Sequence, residues 1–310
     1  MSGGAVSLDG DVAAEARLIL TNAELMLANA PTPIDLGVAA AREGARVAAD
    51  PPDAAAVNRI VNEVPVRVFS VDEPDGVYFH IHGGGWNTGA FDLQDARLRR
   101  FAEACNVAVV SVDYGLAPEN PFPGPANQCE AAARWLCANA TNEFGTDKLT
   151  IGGESAGAHL SAVVLLRMRD AFVGANLVYG MYDLALTDFA QQWGTRNLIL
   201  NTPIIEWCVE SLTPGWTSDQ RRDPDLSPMY GDLAGLPPAL FTVGTDDPTL
   251  HDSIGMHDKW DAANGNATLE IYEHGFHAFN LFPSKLGDAS NRSQERFITN
   301  AVKGLTHASH

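Results

Sequence analysis

The stretch Leu149-Thr150-Ile151-Gly152-Gly153-Glu154-Ser155-Ala156-Gly157-Ala158-His159-Leu160 decides the fold. Its first four residues read as a buried strand, and the residues from Ala156 to Arg169 read as a helix. Between them stands GxSxG, with Ser155 at its centre. A side chain held on so sharp a strand–turn–helix junction has strained dihedrals. Only very small residues then fit two positions before and after it. The free N–H groups of the helix N-terminus point at any negative charge that develops near Ser155. The pattern alone is weak, because glycine and serine are common. Set between a strand and a helix, it reads as the elbow of a nucleophile.

Outward from the elbow the chain alternates strand and helix patterns. Val64, Val66 and Val68 alternate as in a strand, Gly76–His82 reads as a more buried strand, and Val107–Val112 is a β-branched run. Asn127–Ala140 is helical, and Asn176–Gly180 and Ala239–Val243 are strands. Leu250–Ala263 is a helix, Thr268–Tyr272 a strand and Ser293–Leu305 a helix. This order predicts an α/β fold whose central sheet is mostly parallel, with helices on both faces. The interval 183–236 fits the alternation badly and is too long for a plain connection. Together with residues 1–50 it is expected to form a helical cap on a catalytic domain of residues 51–310. Within the first segment Ala16, Ile19, Ala23, Met26 and Ala30 mark one helix stripe, and Asp35 is expected to open a second helix through Ala39–Ala49.

A second motif follows the strand that ends at His82: His82-Gly83-Gly84-Gly85-Trp86. Acyl transfer creates an oxyanion, and backbone N–H groups must already face it. A run of glycines lets the main chain approach without Cβ clashes. Gly83, Gly84 and Ala156 are therefore the expected donors, and Trp86 is expected to line the substrate pocket beside them.

Three more segments complete a resemblance. Asp113-Tyr114-Gly115-Leu116-Ala117-Pro118-Glu119 resembles a DYRLAPE segment. Gly244-Thr245-Asp246-Asp247-Pro248 resembles an acid-bearing loop, and Gly275-Phe276-His277-Ala278-Phe279 a histidine loop. With the two glycine motifs, they make the chain, from about residue 75 onward, similar to the bacterial hormone-sensitive-lipase family of α/β-hydrolases. The resemblance implies the α/β-hydrolase fold, with a nucleophile, an acid and a histidine in that order, each after a strand. On this reading Ser155 is the nucleophile, His277 the base and Asp247 the acid. Asp247 is favoured because it precedes Pro248, as in the family's Asp-Pro pattern. Its neighbour Asp246 is the alternative, with helix capping as its other role. His274 is the rival of His277, and the aromatic flanks of His277 decide between them. Two departures bear on the surroundings of the site: Gly115 stands where the family usually has arginine, and Glu154 where Asp is commoner.

The expected activity is hydrolysis of small, short-chain carboxylic esters through an acyl-enzyme, without cofactor or metal. An amidase, formamidase or lactonase on the same triad stays open. A non-catalytic receptor on this fold would be expected to lose a triad member, and all three are present. No histidine or cysteine stands at a metal-ligand spacing such as HExxH or CxxC. The formal charge is −19, from 39 acidic against 20 basic residues, which opposes nucleic acid and anionic membrane surfaces. No stretch approaches the roughly 18 uninterrupted apolar residues of a membrane span, and the acidic N-terminus lacks a targeting pattern. Cys105, Cys129 and Cys137 read as small buried hydrophobes, and a cytoplasmic protein with reduced thiols is expected. The oligomeric state is left open, a homodimer among the options.

Overall fold

The computed structural model describes residues 3–49 and 51–305. His307 and His310 lie outside the described residues. The strands are β1 (Gly3–Ala5), β2 (Val57–Val61), β3 (Val64–Phe69), β4 (Gly76–Ile81), β5 (Val107–Val112), β6 (Leu149–Glu154), β7 (Gly174–Val178), β8 (Ala239–Asp246) and β9 (Ala267–Phe276). The helices are α1 (Gly10–Leu27), α2 (Pro33–Leu36), α3 (Val38–Val47), α4 (Asp95–Cys105), α5 (Gly124–Phe144) and α6 (Ala156–Arg167), followed by α7 (Asp188–Gln192), α8 (Thr202–Leu212), α9 (Ser218–Arg221), α10 (Leu250–Asn264) and α11 (Lys285–Val302). Among the described residues the strands form one sheet in the order β1-β9-β8-β7-β6-β4-β5-β3-β2. The β4–β5, β4–β6, β6–β7, β7–β8, β8–β9 and β1–β9 pairs are parallel, and only the β2–β3 and β3–β5 pairs are antiparallel. The expected mostly parallel α/β sheet is borne out.

The central strands are apolar on both faces because helices cover both. Alternate residues of β4 show this directly. Tyr78 packs with Leu98 and Phe101 of α4 and Ile298 and Val302 of α11, while Val77, Phe79 and Ile81 face the α5 and α6 side. Register then gathers the loops that matter. Ile81 pairs with Gly153, so the chain leaving β4 and the chain leaving β6 emerge side by side at the sheet's carboxyl edge. At the other side of the same edge Asp246 pairs with Phe276 across a bulge after Gly244, which brings out Asp247 next to His277.

Three local expectations differ. Asp35 does not open the long second helix. Thr32 accepts from the Asp35 N–H while Asp35 accepts from the Thr32 N–H at 2.8 Å, and this reciprocal box opens only the one-turn α2. Gly37, at φ 77°, then breaks the chain direction, and α3 starts after it. In α1, Leu20 is buried with Ala16, whereas Met26 of the expected stripe is exposed. Cys137 is exposed, unlike Cys105 and Cys129. The buried face of α5 runs through Ala126, Cys129, Ala133, Leu136 and Ala140, and Cys137 is rotated a further ~100° from Leu136.

Candidate active site

Ser155 sits at the junction of β6 and α6 with φ 56° and ψ −119°, a conformation that L residues rarely hold. The crowding that imposes it is visible at the flanking glycines. A Cβ on either Gly153 or Gly157 would overlap the carbonyl oxygen of Ile81. Small residues at those positions let β4 and the first turn of α6 pack against the elbow, and Ser155 is lifted out of the sheet. The Ser155 N–H donates to the Val178 carbonyl at 2.9 Å, which pins the turn to β7.

His277 and Asp247 converge on it. His277 Nε2 lies 2.9 Å from Ser155 Oγ, and Nδ1 lies 2.9 Å from Asp247 Oδ2. Asp247 is fully buried, and its other oxygen accepts from both the N–H and the hydroxyl of Thr249, each at 2.8 Å. The carboxylate therefore cannot rotate away from the imidazole. Behind the imidazole stands Tyr179, its ring 4.7 Å from that of His277. Tyr179 is fixed in turn by donating its hydroxyl to Asn280 at 2.7 Å.

The glycine turn runs alongside. A Cβ on Gly83 would lie 2.7 Å from the Glu154 carbonyl, so only glycine permits the turn to touch the elbow. Gly84, at φ 113°, holds a backbone conformation open to glycine. The carbonyl of Gly84 is occupied from behind by the N–H groups of Asn87 and Thr88 at 3.1 and 2.9 Å. Among the described residues the N–H groups of Gly83, Gly84 and Ala156 have no acceptor. Below the turn His82 donates from Nδ1 to the Gly83 carbonyl at 2.8 Å and stacks on Tyr114 at 4.3 Å. Burial pushes the His82 imidazole down to about 4, so it is neutral at ordinary pH and does not compete as a base.

A cavity of about 320 Å³ opens above these groups. Its floor holds Ser155, His277 and the glycine turn, and much of its wall is apolar, including Ile199, Leu200, Ile204 and Trp207. Pro33 and Ala45 of the N-terminal segment close another side.

A sequence profile described as the α/β-hydrolase fold matches residues 78–281, which contain both glycine turns, Asp247 and His277. The chain belongs to the α/β-hydrolase-fold family. The expected resemblance to hormone-sensitive-lipase-type α/β-hydrolases is borne out. The chain is 33% identical over 263 residues to Carboxylesterase NlhH of Mycobacterium tuberculosis, covering 80% of each chain. It is also 33% identical over 252 residues to Carboxylic ester hydrolase LipN of the same organism, covering 75% of this chain and 65% of that one. Among solved structures, a hormone-sensitive lipase from a metagenome library aligns with a TM-score of 0.81 at 24% identity, covering 93% of this chain and 98% of that one. That likeness speaks for the fold.

Two side chains of this α/β-hydrolase lie elsewhere than the sequence suggested, and the space at Gly115 is taken by a neighbour. Trp86 does not line the cavity. It is 2% exposed, and its indole N–H donates to His159 Nδ1 at 3.1 Å, so the ring is a prop beneath the turn. The cause is backbone: the turn continues through Gly85 and Trp86 at positive φ, which folds the side chain inward. Asp246 caps no helix. It faces Arg196 at 2.9 Å and the hydroxyl of Thr245 at 3.0 Å, while the N-cap position of α10 is Thr249, with no side-chain capping bond. Gly115 is filled in by Asn120, 2.8 Å from where a Cβ would stand, which leaves no room for a larger residue unless Asn120 moves.

Sequence reasoning missed a buried polar chain under the elbow. Ser111 Oγ lies 3.0 Å from His80 Nδ1, and His80 Nε2 lies 3.1 Å from Glu154, which also pairs with Arg97. Burial works to raise the Glu154 carboxyl, but Arg97 and His80 outweigh it and hold it well below the usual carboxylate range. Arg97 and Tyr179 had no local signal, because each acts through a contact far away in the chain.

Proposed function

We propose that Ser155, His277 and Asp247 are the nucleophile, base and orienting acid of this protein, with Gly83, Gly84 and Ala156 as oxyanion donors. The chain is a carboxylic-ester hydrolase, like the relatives it is similar to. One observation carries the site assignment: the unbroken hydrogen-bonded chain Ser155–His277–Asp247 on the floor of a mostly apolar cavity.

The chemistry follows from those contacts. His277 Nε2 takes the proton of Ser155 Oγ as the oxygen attacks the ester carbonyl, while Asp247 keeps the other ring nitrogen protonated and supports the imidazolium. The carbonyl oxygen becomes an oxyanion against the N–H groups of the glycine turn and the α6 N-terminus. His277 then protonates the departing alcohol, and water repeats the sequence on the acyl-serine. No step calls on a metal or cofactor. The substrate is a small ester, and the size of the cavity favours short acyl chains. Residues 1–50 and the interval 183–236 form the cap of this reading, supported by the cavity wall that both contribute, Ala45 from one and Trp207 from the other.

The test is Ser155→Ala, assayed on p-nitrophenyl esters of increasing acyl length beside matched anilides and lactones. Turnover should fall by about 10⁴- to 10⁶-fold with the fold intact, and an organophosphate should label the parent once, at Ser155. A folded Ser155→Ala protein that keeps most of its ester activity would end the proposal.

A further inference from the structure

No residue of α3 is buried, so apolar burial does not hold this helix to the sheet domain. Its deepest grip runs through one side chain. Arg42 Nε donates to the Asn87 carbonyl at 2.7 Å, and Nη2 donates to the Ala117 carbonyl at 2.8 Å. Nη1 and Nη2 also hold the two oxygens of Glu119 at 2.9 and 2.7 Å. A guanidinium presents its donors in a rigid planar fork, and here the fork spans two loops at once. The Arg42 contact draws Glu119 down to about 2, so the pair stays charged across the working range.

The two loops are those behind the oxyanion turn. Asn87 donates its N–H to Gly84, and Ala117 donates its N–H to the Trp86 carbonyl at 2.9 Å. The peptide planes of the turn are thus fixed from behind, and Arg42 takes the carbonyls left over. The Asn87 side chain cannot do this work, since it is fully buried and neither of its polar atoms has a partner among the described residues. The 113–119 segment reaches the turn through Tyr114, whose hydroxyl donates to the His82 carbonyl at 3.0 Å, but Gly115 brings no side chain where a DYRLAPE segment has arginine. The cation that grips this segment comes from the N-terminal part of the chain instead.

We propose that Arg42 is a positioning residue for ester hydrolysis: it ties α3 to the glycine turn and keeps the Gly83 and Gly84 N–H groups aimed at the developing oxyanion. This rests on the reading of those two residues as donors. Such a residue acts on the transition state more than on the bound ester, so its loss should appear in kcat.

The experiment uses the full chain with p-nitrophenyl acetate and p-nitrophenyl butyrate, the enzyme concentration fixed by organophosphate titration of Ser155. Arg42→Met keeps the aliphatic stem and removes the donors. Its kcat should fall by about 10- to 100-fold, short of the loss of a whole oxyanion donor, with KM and the pH profile little changed. Arg42→Lys should recover part of the loss, since one ammonium cannot span both loops. Glu119→Gln should lose less than Arg42→Met, because the two carbonyl contacts remain. A lowered melting temperature with wild-type kcat per titrated site would overturn the proposal. So would an effect confined to KM for butyrate, which would make Arg42 a mere support of the cavity wall. Should Arg42→Met fail to fold, Arg42→Lys carries the test, and wild-type kcat there overturns it. Ser155→Ala is run alongside. If it stays active, the reading of the site fails; if it is dead while Arg42→Met is normal, only the role of Arg42 fails.

Discussion

Asp247 has both carboxylate oxygens committed, one to His277 and one to Thr249, and no water reaches either. Its neighbour points the other way, to Arg196. The adjacent side chains diverge, so exchanging their roles requires the loop to be rebuilt. Asp247→Asn is expected to cost about 10²- to 10⁴-fold in turnover through a misoriented imidazole, whereas Asp246→Asn should leave turnover near normal. Steady-state rates of the two variants decide it, and a reversed pair of effects refutes the assignment. A third aspartate gives a pH prediction. Asp252 is fully buried and accepts from the N–H groups of Tyr182 and Asp183 at 2.8 and 2.9 Å. Burial raises its carboxyl to about 7, above the roughly 3.9 of an unfolded aspartate. The folded state therefore holds this proton more tightly, and the stabilisation is full below about pH 4 and is lost as pH rises toward 7. Asparagine keeps the acceptor without the charge. The melting-temperature difference between Asp252→Asn and the parent should thus grow in favour of the variant between about pH 5 and pH 8, and a constant offset would show that Asp252 does not titrate there. At this scale the sequence exposed residues whose partners are set by motif. Arg42, Arg97 and Tyr179 stayed hidden because their contacts join segments far apart in the chain.

At the scale of elements, legibility followed the strength of local periodicity. β4, β5 and β6 are buried along their whole length and read as continuous apolar runs. β1 is three residues long and exists by pairing with the edge of β9, so no local pattern could announce it. Helix α4 was passed over although Leu98, Phe101, Ala102 and Cys105 lie at helical spacing. Arg97, Arg99 and Arg100 interrupt them, and Gln94 gives no capping bond to mark the start. The 183–236 interval folds into α7, α8, α9 and the 3-10 turn Pro228–Tyr230, of which only α8 is longer than two turns. The elbow supplies the prediction here. Gly157→Ala forces a Cβ into the Ile81 carbonyl and should destabilise by about 1–3 kcal/mol in a urea titration, with activity reduced in step. Gly44→Ala is the contrast: in the middle of α3 nothing lies within 4 Å of its added Cβ, so it should gain about 0.5–1 kcal/mol. Equal behaviour of the two variants would show that crowding at the elbow is not what demands glycine.

Across the whole molecule, three segments distant in sequence are laced together above the carboxyl edge of the sheet. Glu24 of α1 holds Arg196 of the 183–236 interval at 2.6 Å, and Arg196 holds Asp246 of the acid loop at 2.9 Å. These groups are partly exposed, so the lacing sets register more than stability. In the wall of one cavity, α3 contributes Ala45 and the 183–236 interval contributes Trp207. If that wall measures the acyl chain, filling it and emptying it must act in opposite directions. Ala45→Phe adds a ring at the wall and should depress kcat/KM more with each carbon added to a p-nitrophenyl ester, with acetate affected least. Trp207→Ala removes the largest side chain of the wall and should shift the optimum to longer acyl groups. One further methylene in an apolar pocket is worth about 1–3 kcal/mol of discrimination, so each shift should be visible between neighbouring members of the ester series. The argument needs both variants, because either alone could lower all rates by disturbing the fold. Parallel profiles for parent, Ala45→Phe and Trp207→Ala across the series would mean that neither segment contacts the acyl chain, and the cap assignment of both would fall with it.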